Sequence, residues 1–196
     1  MNWQEESGFA LRENKKLMNR KLQNSELNRL TIDEFKQAQK LPIVVVLDNI
    51  RSQHNIGAAF RTSDAFRIDS IFLCGISSTP PNAEIHKSAL GAENSVAWQY
   101  FENAVDAITV LKQKGYTIVS IEQTTDSLML NEFIPSADKK YALVFGNEVR
   151  GVSQSVVDAS DFCIEIPQEG TKHSLNVSVS IGVVLWDLYR NLSRHF

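Results

Sequence analysis

The chain has 196 residues, 43% of them apolar and 22% charged, with a formal net charge of −3. These values fit one α/β domain with a real core plus a short extension, and they lack the global basic signature of a nucleic-acid binder. No apolar run approaches the roughly 18 residues of a membrane span, the start MNWQEESGFALRENKK lacks an apolar signal core, and Cys74 and Cys163 are isolated thiols, so a reducing cytoplasm is expected.

Residues 1 to about 40 read as a helical extension, with a capping box where Thr31 precedes Glu34. Within it, Arg12, Lys15, Lys16, Arg20 and Lys21 crowd into ten residues holding one acid, Glu13. Such a run is either a solvated helix face or an RNA-binding arm that neutralises phosphates. From Pro42 the pattern changes to β-branched apolar runs bounded by turns: PIVVVLDNI, SIFLCGIS, YTIVSIEQ, YALVFGNE and DFCIEIPQ. Helical stretches alternate with them near 55–66, 103–114, 153–158 and 175–192. The expected fold is α/β: a mostly parallel sheet with helices on both faces, with residues 1–41 as the extension and 42–196 as the domain. Residues 77–95 read as the longest polar loop, a place for substrate contacts. Trp98, Tyr100 and Phe101 lie in a strand-like stretch, where core packing competes with base stacking.

Ligands of parallel sheets bind beyond the carboxyl ends of the strands, which selects three loops. In DNIRSQHNIGAAFRT, Asn55 and Arg61 flank the start of a helix, an arrangement suited to an anion, or simply a cap and an exposed arginine. In LVFGNEVRGVS, Gly146 and Gly151 bracket Glu148 and Arg150; the glutamate either orients another polar side chain or pairs with Arg150. In IPQEGTKHSLNVSVS, Ser174 and Asn176 head the last segment, as cap or hydrogen-bonding residues rather than as a nucleophile and its partner. That segment alternates like a strand but is too long for one. Residues 177, 181, 184, 185 and 188 make one helical apolar face, so a helix is expected, with Ser178 and Gly182 as small close-packing positions. No GxGxxG follows the first strand, no P-loop occurs, and the histidines and cysteines lack zinc spacing, so no metal is expected.

Taken together, NIGAAFRT, LVFGNEVRGVS and IPQEGTKHSLNVSVS resemble the three motifs of the SpoU, or TrmH, family of RNA ribose methyltransferases in the SPOUT superfamily. The resemblance spans residue 42 to the end. It implies a C-terminal trefoil knot, a homodimer, S-adenosyl-L-methionine as cofactor, and methylation of a ribose 2′-hydroxyl in tRNA or rRNA. It also implies Asn55, Arg61, Glu148, Ser174 and Asn176 as catalytic positions. For the cofactor it implies Gly146, Ile166 and Leu175, with Leu73 and Gly75 as looser choices. Arg61 is the family's proposed base, although a guanidinium does not deprotonate in proteins and a phosphate clamp is the physically easier role. The short extension leaves no room for a globular RNA-binding domain, which favours tRNA. The alternatives are a non-catalytic RNA-binding scaffold of the same fold and an RNA base methyltransferase.

Overall fold

A computed structural model describes residues 19–193 of the chain. The chain divides into a unit ending at Leu30 and a unit beginning at Thr31. Of the first, the described part holds a single 3-10 turn, Asn24–Glu26, and the exposed Arg20 pairs with Glu26 at 2.5 Å. The continuous helix expected up to residue 40 is therefore not present in the described part. The second unit starts with α1 (Ile32–Gln37), where the expected capping box forms: Glu34 N donates to Thr31 Oγ1 at 3.2 Å, and Thr31 N donates to Glu34 Oε2 at 2.8 Å. Phe35 is buried in the main core, so this helix packs as part of the second unit.

The chain continues as β1 (Leu41–Asp48), α2 (Gln53–Ala65), β2 (Ile68–Cys74), α3 (Ala83–Ala89), β3 (Ala97–Phe101) and α4 (Ala104–Gln113). It then forms β4 (Tyr116–Ile121), β5 (Leu128–Met129), β6 (Lys140–Phe145), α5 (Gln154–Ala159), β7 (Phe162–Glu165) and α6 (Val177–Leu192). The strands lie in the order β3-β2-β1-β6-β4-β7-β5, and every pairing is parallel. The expectation of a parallel α/β sheet holds. One detail differs from the sequence reading. The stretch 77–95 contains α3 and a 3-10 turn, Ala92–Asn94, because Ile85 and Ala89 give it just enough apolar surface to bury. The strand-like stretch around Trp98 and Tyr100 is strand β3, which lies at one edge of the sheet.

The central strand explains why its sequence is a continuous apolar run. Ile43, Val45 and Leu47 enter one core cluster, whereas Val44 and Val46 enter the other. Successive side chains point to opposite faces, so a strand covered on both sides needs apolar residues at every position. One face is covered by α1, α2, α3 and α6 through Phe35, Phe60, Ile85 and Leu185, the other by α4 and α5 through Ile108 and Val156. Burying a side chain such as Ile43 or Leu47 is worth about 1.5–3 kcal/mol. Among the described residues no helix is long and apolar enough to cross a membrane.

Topology places the functional loops. From β1 the chain moves outward through β2 to β3, while β6 lies on the other side of β1 and leads toward β4 and β7. The chain directions diverge between β1 and β6, the point at which a parallel sheet opens a crevice beyond its carboxyl ends.

Candidate active site

Three sets of hydrogen bonds stitch the end of β1 to the loop after β6. Asp48, a carboxylate buried to 2% exposure at the end of an apolar strand, accepts from Ser153 N at 3.0 Å and Ser153 Oγ at 2.8 Å. Asn147 Nδ2 donates to the carbonyl of Asn49 at 2.7 Å. Glu148 accepts from Arg51 N, Ser52 N and Asn55 Nδ2, each at 3.0 Å. The N-cap of α2 is thus Ser52, which accepts from Asn55 N at 3.3 Å, and the side chain of Asn55 is free to hold Glu148. The anion expected at this helix N-terminus is the protein's own carboxylate. Burial pushes the Glu148 carboxyl up, but the amides of Arg51 and Ser52 and the side chain of Asn55 outweigh it and hold the group below the ordinary carboxylate range. Its oxygens are committed to Asn55 and the start of α2, and no ion pair with Arg150 forms.

The loop that carries Glu148 is closed on itself by Asn147 N to Gly151 O at 3.0 Å and Gly151 N to Asn147 O at 2.8 Å. Its two glycines are needed for close approach. A Cβ on Gly146 would lie 2.0 Å from Val152 N, and one on Gly151, at φ +69°, would lie 2.1 Å from Glu122 Oε2. Glu122, at the end of β4, accepts from Val152 N at 2.8 Å, and its own N–H donates to Ile164 O at 3.0 Å. It therefore ties together the ends of β4, β6 and β7.

Between those strand ends lies a cavity of about 520 Å³. Gly146, Ile166 and Leu175 line it, together with Glu122, Glu148, Ser174 and Asn176. Asn176 caps α6: its Oδ1 accepts from Ser178 N at 2.9 Å and from Ser178 Oγ at 2.6 Å. Ser174 is exposed at the cavity, which its neighbour His173 also lines, and the His173 carbonyl accepts from Gln123 Nε2 at 3.2 Å. The Ser174 hydroxyl makes no hydrogen bond to a base among the described residues.

The other expected positions fall elsewhere. Leu73 is fully buried in the core opposite Leu47, and Gly75, at φ +61°, makes room for Asn49 Oδ1, so neither lines the cavity. Arg61 is exposed on α2, six residues and so about 9 Å along the axis from Asn55, and it does not line the cavity. Helical rotation separates the two side chains, so the sequence spacing does not bring them to one end of α2. Arg20 and Lys21 are exposed; Arg12, Lys15 and Lys16 lie outside the described residues. Asp48, Asn147 and Glu122 were not singled out from sequence. Asp48 carried a signal, a carboxylate ending an otherwise apolar central strand, whereas Glu122 in IEQTTDS carried none.

Residues 42–186 match the SpoU rRNA Methylase family. A Borreliella burgdorferi protein named as an uncharacterized tRNA/rRNA methyltransferase is 33% identical over 190 residues, covering 95% of this chain and 80% of the relative. A Staphylococcus haemolyticus protein named for the TrmH family of tRNA/rRNA methyltransferases is 34% identical over 164 residues, and there the match spans 81% of this chain and 64% of the relative's length. Among solved structures, the Aquifex (A. aeolicus) TrmH/SpoU tRNA modifying enzyme superposes with a TM-score of 0.72 at 28% identity, over 82% of this chain and 80% of that one. An AdoMet-bound rRNA methyltransferase from Sinorhizobium meliloti gives a TM-score of 0.72 at 25% identity, over 81% and 60%. With a glycine-framed cavity beyond the carboxyl ends of β4, β6 and β7, with Glu148 shared between that cavity and Asn55, and with three-quarters of its length matched, the chain belongs to the SpoU family of S-adenosylmethionine-dependent RNA methyltransferases.

Proposed function

We propose that the protein transfers a methyl group to a ribose 2′-hydroxyl of tRNA or rRNA, as a cytoplasmic homodimer. The observation that carries this reading is the sharing of Glu148. One carboxylate both borders the cavity and orders Asn55 and the first turn of α2, so the cofactor loop and the motif implied to act on the nucleotide form one rigid unit. The cavity suits S-adenosylmethionine: its volume is in the range of small-molecule sites, roughly 300–1,000 Å³, and Gly146, Ile166 and Leu175 all line it. Gly146 and the backbone around Ile166 and Leu175 would hold the group, and Leu175, exposed at the cavity, offers an apolar surface for a flat ring. When bound, S-adenosylmethionine supplies an electrophilic methyl on a sulfonium.

The chain's own residues have the task of positioning a weakly acidic hydroxyl and allowing its proton to leave. Glu148 is a poor base because its lone pairs are engaged and its pKa is lowered; it fixes Asn55 instead. Ser174 and Asn176 present hydrogen-bonding groups to the nucleotide from the opposite side of the cavity. Arg61, a permanent cation with no partner among the described residues, acts as the clamp on an RNA phosphate.

Several features support the wider reading. The outer side of α6 carries a second apolar stripe, Val179, Val183 and Trp186, beside the small Ser178 and Gly182; a Cβ on Gly182 would meet open space. That stripe is the surface we assign to the dimer. The loops after β4, β6 and β7 that frame the cavity are those a C-terminal trefoil knot would draw together. The unbridged thiols Cys74 and Cys163 fit a reducing compartment. The Aquifex relative modifies tRNA, which makes tRNA the favoured class.

The test is methyl transfer from radiolabelled S-adenosylmethionine to unmodified tRNA and, separately, rRNA, followed by nucleoside analysis. Label in a 2′-O-methylnucleoside of one pool is the expected result. Label in a base points to base methylation; no label in either pool, with cofactor binding confirmed, points to the non-catalytic scaffold.

A further inference from the structure

A second cavity, of about 620 Å³, lies at the edge of the sheet and shares no lining residue with the first. We infer that it is a subsite for an unpaired nucleobase of the RNA, adjoining the nucleotide that is methylated. This inference rests on the reading of the protein as an RNA methyltransferase.

The cavity's walls are of two kinds. Trp98, half-buried on the edge strand β3, packs against the core and also lines the cavity, facing it together with Pro80 and Pro81. These are rigid apolar surfaces, the type on which an unstacked base lies, because every base offers a π-face. The remaining wall is polar and carries unused hydrogen-bonding capacity. Asn82 spends its Oδ1 on Glu84 N at 2.9 Å and Ile85 N at 3.2 Å as the cap of α3, which leaves its Nδ2 without a partner among the described residues. Asn94, exposed at the rim, has no side-chain hydrogen bond there either. His86 is pinned through Nδ1 to Glu93 Oε1 at 2.5 Å, so Nε2 is the atom left for a ligand. The Glu93 side chain is only 9% exposed, and its Oε2 has no partner. Burial pushes the Glu93 carboxyl up, but the bond to His86 and nearby backbone amides outweigh it, so the carboxylate stays ionised and fixes the imidazole. An aromatic platform edged by amides and an oriented imidazole suits the flat face and polar rim of a base.

The location ties this cavity to the methylation site. The segment leading into it is anchored to the end of β1 and the start of α2: Ser77 Oγ donates to Leu47 O at 3.1 Å and accepts from Ile50 N at 2.9 Å, and Gln53 Nε2 donates to Ser78 Oγ at 3.2 Å. Pro80 follows Ser78 by two residues, at most about 7 Å of extended chain. Gln53 itself lies two residues from Asn55. The cavity is therefore one short loop from the helix turn that Glu148 orders, within reach of a neighbouring nucleotide on the same strand.

The test compares wild-type protein with Trp98→Leu, Trp98→Tyr and Ala83→Leu. The last fills the cavity from an exposed helix position and leaves the core untouched. RNA affinity, S-adenosylmethionine affinity and methyl transfer are measured for each, using the tRNA or rRNA pool that the wild type binds. Loss of one stacking contact weakens RNA binding roughly 5- to 150-fold. The expected pattern is that loss for Trp98→Leu and Ala83→Leu, near-complete recovery in Trp98→Tyr, and unchanged affinity for S-adenosylmethionine throughout. RNA affinity within twofold of wild type in Trp98→Leu and Ala83→Leu overturns the subsite, whatever else the cavity holds. Wild-type protein that binds RNA but transfers no methyl group refutes the catalytic reading alone, and the Trp98 series still decides the subsite. Wild-type protein that binds no RNA refutes both.

Discussion

Glu148→Gln isolates the charge that joins the cavity loop to α2. The substitution keeps the side chain's shape, but an amide has one acceptor oxygen where the carboxylate has two. Arg51 N, Ser52 N and Asn55 Nδ2 all donate to Glu148 at 3.0 Å, so at least one of them faces an NH2 group in the variant. A hydrogen bond to a charged group contributes about 1.5–3 kcal/mol, and loss of the negative charge at a helix N-terminus costs about 0.3–1 kcal/mol more. Partial exposure of the site pulls the sum to the lower end, so the expected destabilisation at neutral pH is about 2 kcal/mol. The pH dependence gives the sharper check. Because the folded carboxyl lies below its ordinary value, its contribution is complete above the unfolded pKa of about 4.3 and is lost as pH falls through the lowered folded value. Urea denaturation of both proteins from pH 7 downward should show a gap that closes below about pH 4. A gap that stays constant with pH, or no gap at pH 7, refutes the assignment of the carboxylate to these three donors. Methyl transfer at pH 7 should fall in parallel, since Asn55 loses its anchor.

Arg61→Ala should lower turnover by about 100-fold or more while S-adenosylmethionine affinity, measured by calorimetry, stays within twofold; wild-type rates would remove Arg61 from the reaction. Gly146→Ala forces a methyl to within 2.0 Å of Val152 N and should cost about 1–3 kcal/mol of stability together with cofactor affinity; unimpaired binding of S-adenosylmethionine would mean the cavity does not use this loop. Val183→Glu, on the exposed stripe of α6, should leave the fold's circular dichroism unchanged and convert a dimer to a monomer in sedimentation; an unchanged sedimentation coefficient would move the interface elsewhere. Deleting residues 1–30 should weaken RNA binding and flatten its dependence on salt, since it removes Arg12, Lys15, Lys16, Arg20 and Lys21; an unchanged salt slope would return them to a solvated face.

The parallel sheet was legible because burial on both faces removes polar residues from a central strand: Ile43 to Leu47 are an uninterrupted apolar run, and each is at most 1% exposed. The last segment was ambiguous for a reason the structure makes clear. Helix α6 has two apolar stripes, the buried Val177, Ile181, Val184, Leu185 and Leu188 and the exposed Val179 and Val183, and their superposition mimics the alternation of a strand. Helix α3 was hidden because it buries little, and β5 because it has two residues. Of the residues the motifs single out, Gly146, Ile166, Glu148, Ser174, Leu175 and Asn176 meet at one cavity. Local sequence does not reveal the bonds across it, since Glu148 finds its donors 93 to 97 residues earlier. Leu73 and Gly75 show the converse: they stand near a strand end, yet Leu73 is buried in the core and neither lines the cavity.

The arrangement separates two tasks that methyl transfer to RNA must combine. Holding the cofactor requires a rigid loop, and here the rigidity comes from Asp48, Glu122 and Glu148, three carboxylates whose hydrogen-bond donors are mostly backbone amides. Such bonds fix a loop without a bulky side chain, and Gly146 and Gly151 let the backbones come close enough to form them. Holding the RNA requires the opposite, groups that remain free until the substrate arrives. Arg61 is exposed outside the cavity, and Trp98, Asn82, Asn94 and His86 surround a second cavity with unused hydrogen-bonding atoms. Because Glu148 holds the start of α2, which carries Arg61 two turns later, while Gln53 anchors the loop to the second cavity, this one helix sets the distance between the proposed methyl-transfer site and both proposed RNA contacts. Substitutions that tilt α2 should therefore impair RNA selection and turnover together, whereas substitutions at Trp98 should impair RNA binding alone.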